Sequence, residues 1–490
     1  MQTIEQNKMG YKPVLPLLMS MAFPPMLSML IQSLYNIVDS MFVAQIGEDA
    51  LTAVSLAFPI QTLIVACSVG IGVGVNSYIA RKLGEQNQKE ANSAVAHGLL
   101  LSLIGYLLFV AIGSFTIRPF FEMFTDSAAI LDDACMYTYV CVFLCFGCFF
   151  HILIEKVFQS MGKMIFPMAI QAAGAITNII LDPIMIFGLL GFPAMGVKGA
   201  AIATVIGQIF AMSLSLFIFL TRKFDVKLDL KQFHFSWDTI RRILSVGIPN
   251  ACMNALGSVL VIGLNSILIQ FSNTAVSIYG IYYKLQTFVF MPASGLTQGA
   301  MPIMGYNYGA GSHERLLQTL KYAVMVTLAI MVCGCAIFLL FPTQLLMLFH
   351  ASEDMLRIGV PALRIISISF LPAALGFILP TLFQAMGLGL QSLIVFLLRQ
   401  LCITLPLSWL FAAWFGLDGI WYSFLIAESI SAGVAVLLFI RRVSARRIGS
   451  YPVPLYSSHP LRRKQCAETD TVVCKNCGVF FPRVILCVFG

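Results

Sequence analysis

Carboxylates inside long apolar stretches are the residues of this sequence that most call for a chemical explanation. Asp39, Glu155 and Asp182 all stand in such stretches. A charged side chain at the centre of a membrane helix costs on the order of 2.5–3.5 kcal/mol on insertion scales, so it is a functional-site hypothesis by default. A low dielectric and a neighbouring like charge both favour the protonated form of a carboxyl group. We therefore predict that Asp39 and Asp182 bind and release a cation, either H⁺ or Na⁺.

Each carboxylate also has a purely structural interpretation. Asp182 precedes Pro183 and could stabilise a local break in its helix, and Asp39 could be a polar residue near a membrane boundary. Glu155 is followed by Lys156, which fits a neutralised pair at an interface as well as it fits a functional site. The first two acids are the stronger candidates.

Spacing adds an amide to this predicted ion site. Asn178 lies four residues before Asp182, which places both side chains on one face of a helix. Carboxylate and amide oxygens are ligands that hard cations prefer, and Thr204 could add a hydroxyl oxygen. The predicted coupling ion is H⁺ or Na⁺, and no other cofactor or metal site is expected.

The composition places these residues in a membrane. The chain has 490 residues, of which 59% are hydrophobic and 11% are charged, whereas soluble domains carry about 25% charged residues. Such a chain cannot cover its surface in water, and only helices or closed barrels satisfy the backbone in lipid. Long unbroken apolar runs favour helices. The net charge of +8 does not indicate nucleic-acid binding, because the basic residues lie between the apolar segments.

We predict an all-α membrane protein of about twelve transmembrane helices. The predicted spans are 14–43, 51–80, 94–117, 134–157, 164–190, 197–221, 243–270, 276–303, 318–342, 356–386, 389–413 and 417–440. Lys and Arg collect in the loops around 81–89, 156–163 and 222–242 and near both termini, while acidic residues dominate the alternate loops around 48–49, 118–133 and 353–354. Basic loops face the cytoplasm, so both termini are predicted to be cytoplasmic.

An internal repeat is the strongest structural signal. At an offset of 225 residues Pro24 falls on Pro249, and the segment 158–162 falls on 383–387. The offset then shrinks to 220, where Gly196 and Gly199 fall on Gly416 and Gly419. Six helices per repeat give both halves the same orientation, so we expect two bundles related by a pseudo-twofold axis along the membrane normal, as in some secondary transporters.

The sequence resembles the multidrug and toxic compound extrusion (MATE) family of cation-coupled antiporters over about residues 12–442. The matching motifs are 36–39, 154–155 with 159–162, 178–183, 196–204 and 415–419. The resemblance is closest to the bacterial branch whose acidic cluster lies in the N-terminal half. It implies that Asp39 and Asp182 lie in a cavity of that half. Gly257 stands eight residues after Pro249 and its repeat-mate is Gln32, so the second half lacks the helix-7 acid of another branch.

The same resemblance implies an antiporter that exports organic cations by rocking its two bundles. The candidate substrate contacts are Glu155, Tyr35, Gln32 and Met161, since aromatic faces and methionine suit varied flat cations. Pro24 and Pro249 are the candidate hinges. Of the other charged residues, Arg399 is expected to be structural, and Glu428 is expected to pair with a base of the second half.

The predicted organisation is an N-terminal bundle (1–221), a cytoplasmic linker (222–242), a C-terminal bundle (243–442) and a disordered cytoplasmic tail (443–490). Cys474 and Cys477 in that tail form a single CxxC, which is a weak metal signal because structural zinc usually shows a second pair. We expect a monomer in the bacterial inner membrane. The sequence has no GxxxxGK[ST] motif, so an ion gradient is the expected energy source.

Two other functions remain open at this stage. A flippase for lipid-linked precursors would need basic residues along its cavity, whereas the recognisable cavity charges of this sequence are acidic. A membrane-embedded enzyme would need a paired nucleophile and base or clustered histidines, but the six histidines are scattered along the chain.

Overall fold

The computed structural model describes residues 7–229, 233–349 and 351–448, with side chains up to Arg441. This described part is helical throughout and contains no β-strand. Met1–Ala435 form one compact unit, to which all contacts given below belong, and a second unit begins at Val436.

Sixteen helices make up the described part of the chain. The first half contains α1 (Lys8–Tyr11), α2 (Val14–Ala44), α3 (Glu48–Gly84), α4 (Gln88–Glu122), α5 (Ala128–Phe143), α6 (Phe146–Ser160), α7 (Ile165–Phe187) and α8 (Val197–Thr221). The second half contains α9 (Trp237–Leu268), α10 (Asn273–Gly309), α11 (His313–Leu340), α12 (Pro342–Met347), α13 (Glu353–Ser367), α14 (Phe370–Ala385), α15 (Gly389–Leu397) and α16 (Thr404–Ile448). A 3₁₀ turn follows α7 at Leu189–Gly191, and a π-helical turn, Leu398–Ile403, joins α15 to α16.

Long apolar helices account for the predicted membrane spans. Eight continuous helical segments are long and apolar enough to cross a membrane, and two more spans are bent pairs, α5 with α6 (47°) and α13 with α14 (48°). Helix α10 is not among the eight, because its polar and tyrosine residues lower its hydropathy, but its 37 residues are long enough to cross a membrane. Large apolar side chains such as Phe115, Phe217 and Trp414 are exposed on these helices, where a bilayer would cover them.

One of the eight segments, Gly389–Arg441, contains two spans because the chain reverses at Gly416. This residue has φ 67° and ψ −153°, a backbone conformation that glycine adopts without steric cost. The hydroxyls of Ser408 and Ser423 are 2.6 Å apart, although fifteen residues of straight helix would separate them by roughly 22 Å. The segments before and after Gly416 therefore pack side by side. With this division, the two bent pairs and α10 counted as a span, the described residues contain the predicted twelve.

The backbone repeats itself as the sequence does. Helix α3 begins at Glu48 and ends at Gly84, and α10 begins and ends 225 residues later, at Asn273 and Gly309. Gly196, the repeat-mate of Gly416, also has an unusual positive φ, of 54°. The repeat in the sequence is thus matched by helix ends and a turn at equivalent positions of the two halves.

The two halves meet at the end of the bundle that carries the basic loops. In this sealed end Ser77 donates to the carbonyl of Gln384 at 2.5 Å, and Arg81 donates to the carbonyl of Met386 at 3.2 Å. The contact is symmetric: a Cβ added to Gly84 would lie 2.0 Å from the carbonyl oxygen of Tyr306, and one added to Gly309 would lie 2.0 Å from that of Arg81. Backbone thus packs directly on backbone there.

Two predicted boundaries change. Helix α9 begins at Trp237, inside the predicted linker 222–242, because Ser236 caps it by accepting from the backbone N–H of Thr239 at 3.3 Å. Helix α16 continues to Ile448, beyond the predicted end of the second bundle at 442. Most of the predicted tail, including Cys474 and Cys477, lies outside the described residues.

Candidate functional site

A cavity of about 550 Å³ lies between the two halves, within the range of roughly 300–1,000 Å³ that is usual for small-molecule sites. Helices of both repeats contribute to its wall. Amide side chains line much of it, namely Gln32, Gln159, Gln171, Asn178, Gln208, Asn250, Asn254, Gln298 and Gln384. Such a wall offers both donors and acceptors to a polar guest.

Behind the N-half wall, the two predicted acids lie together. The carboxyl groups of Asp39 on α2 and Asp182 on α7 are close enough to interact electrostatically. Asn178 donates to Asp182 Oδ1 at 3.3 Å and to Thr204 Oγ1 at 3.3 Å. Tyr35, one turn before Asp39, places its hydroxyl beside Thr204. The sequence-predicted ion-site residues are therefore neighbours in space.

Three buried oxygens in this cluster have no hydrogen-bond partner among the described residues: Asp39 Oδ1, Asn178 Oδ1 and Asp182 Oδ2. Two neighbouring ionised carboxylates repel each other, so the pair needs a shared proton or a bound cation. The orphaned oxygens and the hydroxyl of Thr204 supply the hard-oxygen donors that suit Na⁺. The residues present fit either ion.

The structural interpretation of Asp182 does not fit its surroundings. Helix α7 runs without a break from Ile165 to Phe187 through Pro183, and no side-chain cap involves Asp182. Its carboxylate instead accepts from Asn178 and interacts electrostatically with Asp39. Asp182 is completely buried, and a buried carboxylate is retained only where something stabilises it.

The wall of the cavity and the acid pair form two layers. Tyr35, Asn178 and Thr204 line the cavity. Asp39 and Asp182 do not line it and lie behind these three side chains. An ion at the acid pair could therefore change the cavity wall through Asn178 and Tyr35 without touching a substrate.

A second charged cluster, on α6 and α10, reaches the cavity directly. Glu155 and Lys156 both line it, with 4.0 Å between Lys156 Nζ and Glu155 Oε1. Lys156 Nζ also donates to Gln159 Oε1 at 3.0 Å and, across the two halves, to Gln298 Oε1 at 3.1 Å. Only 7% of the surface of Lys156 is exposed, and its ammonium group joins the two halves at the cavity wall.

The other predicted contacts separate into two groups. Gln32 lines the cavity and accepts a hydrogen bond from Gln171 at 2.6 Å, and Tyr35 lines it as predicted. Met161 is a correction: it is fully buried just after α6, its carbonyl accepts from Asn7 at 3.4 Å, and it is not part of the cavity wall. The turn that ends α6 at Met161 carries it away from the wall.

Both predicted hinge prolines lie within continuous helices. Pro24 is followed by Pro25 in α2, and Pro249 lies in α9. A proline removes the hydrogen bond to the carbonyl four residues earlier. At Pro249 this frees the carbonyl of Ser245, and Gly389 packs against it closely enough that a Cβ would lie 2.3 Å away. Both helices therefore stay continuous although α2 lacks two backbone hydrogen bonds and α9 lacks one.

The second half contributes a charged pair that sequence reasoning placed outside the function. Arg399 Nε lies 2.6 Å from Glu428 Oε1, which confirms that Glu428 pairs with a base. Arg399 also lines the cavity. With Lys156, this gives the wall two cations and one acid, Glu155, so the expectation that its recognisable charges are acidic is wrong. An arginine inside an apolar segment was the available signal.

The fold and this cavity define a polytopic membrane transporter made of two repeated halves. A family model described as MatE matches residues 24–184 and again 249–410, one match for each half and 225 residues apart at their starts. The chain belongs to the MatE family of multidrug and toxic compound extrusion transporters, as the sequence motifs predicted. Members of this family are transporters and not enzymes, which removes the membrane-embedded enzyme from consideration.

Individual relatives agree with this assignment along nearly the whole chain. The multidrug export protein MepA of Staphylococcus aureus is 28% identical over 436 residues, 87% of this chain and 93% of its own length. An FAD transporter of Shewanella oneidensis is 26% identical over 441 residues, 88% of this chain and 95% of its own. A solved structure of a multidrug resistance MATE transporter in an outward-facing conformation superposes with a TM-score of 0.84 at 26% identity, covering 92% of this chain and all of that one.

Proposed function

We propose that this protein is an ion-coupled antiporter that exports small organic molecules, with organic cations among its substrates, in exchange for H⁺ or Na⁺. The carrying observation is the proximity of Asp39 and Asp182 beside three orphaned buried oxygens. Such a pair holds a proton or a cation in one state and loses it in the other.

Coupling follows from the two layers of the site. With the acid pair empty, its negative charge stabilises a cationic guest in the cavity, and Glu155 adds to this attraction. When an ion binds, the charge is neutralised and Asn178 and Tyr35 can reorient, which weakens the hold on the guest. Ion and substrate then exclude each other, and this mutual exclusion is what an exchanger requires.

Movement between the two sides is proposed to be a rocking of the two bundles about the cavity. In the predicted topology the sealed end faces the cytoplasm, so the described conformation is outward-facing. The protein would act as a monomer in the bacterial inner membrane with both termini cytoplasmic. One relative, in Shewanella oneidensis, is named an FAD transporter. We therefore include a phosphate-bearing dinucleotide among the substrates that this protein could export.

The test uses the purified full chain in proteoliposomes, with ethidium as the transported cation. A pH gradient and a Na⁺ gradient are imposed in separate experiments on wild type, Asp39→Asn and Asp182→Asn. Each substitution keeps the size of the side chain and removes the charge. We expect gradient-driven ethidium transport in wild type and a loss of at least tenfold in both variants.

The two gradients identify the ion, and Asp354→Asn is the matched control because that carboxylate is exposed and far along the chain from the pair. Folded wild type that moves no ethidium under either gradient would refute the proposal. Transport that survives both Asp39→Asn and Asp182→Asn would place the coupling elsewhere.

A further inference from the structure

The buried pair of Arg399 and Glu428 has no part in the proposed ion exchange. Both residues are only 8% exposed. Replacing a buried ion pair by apolar residues of similar size is often neutral or stabilising. Packing alone therefore does not explain why two charged residues are buried at this position. Their position relative to the cavity does.

The guanidinium group of Arg399 turns its free edge toward the cavity. Among the described residues its only side-chain hydrogen bond is from Nε to Glu428 Oε1, which leaves the donors on Nη1 and Nη2 available. Gly376, also on the cavity wall, leaves room in front of them: a Cβ there would lie 3.7 Å from Arg399 Nη1 and 3.5 Å from Glu428 Oε2.

The surroundings fix this group in place. Arg399 lies over the ring of Phe377, 5.0 Å from its centroid, and Phe377 lines the cavity too. The residue belongs to the π-helical turn Leu398–Ile403, a rare geometry that often occurs at functional sites. The hydroxyl of Thr404 also donates to the backbone carbonyl of Arg399.

We propose that Arg399 binds an oxyanion, the carboxylate or phosphate of an aromatic substrate, through Nη1 and Nη2, while Glu428 orients the guanidinium group through Nε. The planar fork of arginine matches both oxyanions bidentately. This inference rests on the proposed export function and names a substrate class for it: aromatic molecules that carry an oxyanion, with or without a positive charge for Glu155.

The probes are riboflavin and flavin mononucleotide, which share one aromatic ring system and differ by one phosphate. Their dissociation constants are measured on the purified full chain at one fixed salt concentration, by quenching of flavin fluorescence. We expect wild type to bind flavin mononucleotide at least tenfold more tightly than riboflavin. In the double variant Arg399→Gln/Glu428→Gln, which leaves no unpaired buried charge, the ratio is expected to fall close to one.

Arg364→Gln is the matched control, because Arg364 is an exposed arginine of the same half and its loss should leave the ratio unchanged. A wild-type ratio near one, or a ratio that persists in the double variant, would overturn the proposal. If the double variant does not fold, Arg399→Lys keeps the charge but lacks the fork, and it is expected to lower the ratio several-fold; an unchanged ratio there also overturns it.

Ethidium transport in the same preparation separates the two proposals. Wild type that transports ethidium under a gradient but shows no preference for flavin mononucleotide refutes the oxyanion site alone. Wild type that prefers flavin mononucleotide but drives no transport under either gradient refutes the exchange mechanism alone.

Discussion

Replacing Gly309 by alanine should lower the population of the conformation in which α3 and α10 are in contact at the sealed end. The new Cβ would lie 2.0 Å from the carbonyl oxygen of Arg81, whereas even favourable carbon–oxygen contacts of this kind lie at about 3.3–3.6 Å. Helices α3 and α10 must therefore move apart by more than 1 Å at this crossing. Because the obstacle is backbone of a helix and not the end of a flexible side chain, no local rotation relieves it.

The size of the effect follows from the cost of overpacking, about 1–3 kcal/mol. Only the conformation in which α3 and α10 are in contact bears this cost. The equilibrium should therefore shift toward the conformation in which the sealed end is open by a factor of about 5–150. Any general gain in helix propensity from a Gly→Ala change acts in both conformations and does not contribute to the shift.

The distance between spin labels at positions 85 and 310 measures this shift. These residues follow directly after α3 and α10 on either side of the contact, and the labels are attached in a cysteine-free background. Wild type should show mainly a short distance, and Gly309→Ala should show a larger population at a longer one. Gly280→Ala is the control on the same helix, because a Cβ there meets nothing within 4 Å.

A distance distribution for Gly309→Ala that matches wild type and Gly280→Ala would refute the reasoning. It would mean that the backbone contact in the sealed end is not specific to one conformation, or that the helices separate at negligible cost. A shift of the same size in Gly280→Ala would point to helix propensity instead of the contact.

Two further predictions concern single residues of the N-half. Lys156→Met should lower the free energy of unfolding by about 1–3 kcal/mol, because it removes the donor to the buried Oε1 of Gln159 and to Gln298 across the two halves. Thermal unfolding of the detergent-solubilised protein measures this. The exposed Lys163→Met should change little, and an unaltered melting temperature for Lys156→Met would contradict the prediction. Pro24→Ala restores one of the two backbone hydrogen bonds that α2 lacks and should slow gradient-driven ethidium transport at least several-fold without loss of ethidium binding. Full transport in this variant would exclude bending at Pro24 as a step of the cycle.

Periodicity, charge placement and the repeat were sufficient to predict the fold. Membrane helices must satisfy their own backbone, so apolar length alone located the spans. The reversal at Gly416 was also visible, because its repeat-mate Gly196 marks the start of a predicted span. What this reasoning missed are helix ends: Trp237 begins α9 inside the predicted linker, since a serine cap outweighed the polar composition of that segment.

The acid pair was predictable and the charges of the cavity wall were not. Asp39 and Asp182 stand out because each is a lone charge in an apolar stretch. For Glu155 and Lys156 the sequence left an interfacial pair and a functional site equally open, because charged residues near the end of a span often extend to water. Only the three-dimensional structure shows that α6 turns this lysine inward to Gln298 on the opposite half. That orientation depends on the packing of α6 against α10, which the sequence alone does not show.

The two repeated halves have equivalent backbone folds, but they carry different charged residues. At the offset of 225, Glu155 and Lys156 correspond to Pro380 and Thr381, and all four line the cavity. The position equivalent to Asp39 is Leu264, a fully buried apolar residue. Conversely, Arg399 stands where the first half has a glycine, Gly174, which lines the same cavity.

This division has a mechanical consequence. In the proposed rocking cycle, equivalent backbones would let each bundle present similar contacts to the other, as Gly84 and Gly309 do at the sealed end. Because their charged residues differ, the N-half is proposed to bind the coupling ion and the C-half to hold an anionic group of the substrate. In the proposed exchange, an ion bound at Asp39 and Asp182 would change the N-half wall, so a substrate held also at Arg399 would keep its C-half contact while its N-half contact weakens. Release would then begin on the N-half side, and substitutions at Arg399 should alter substrate preference without altering the choice of coupling ion.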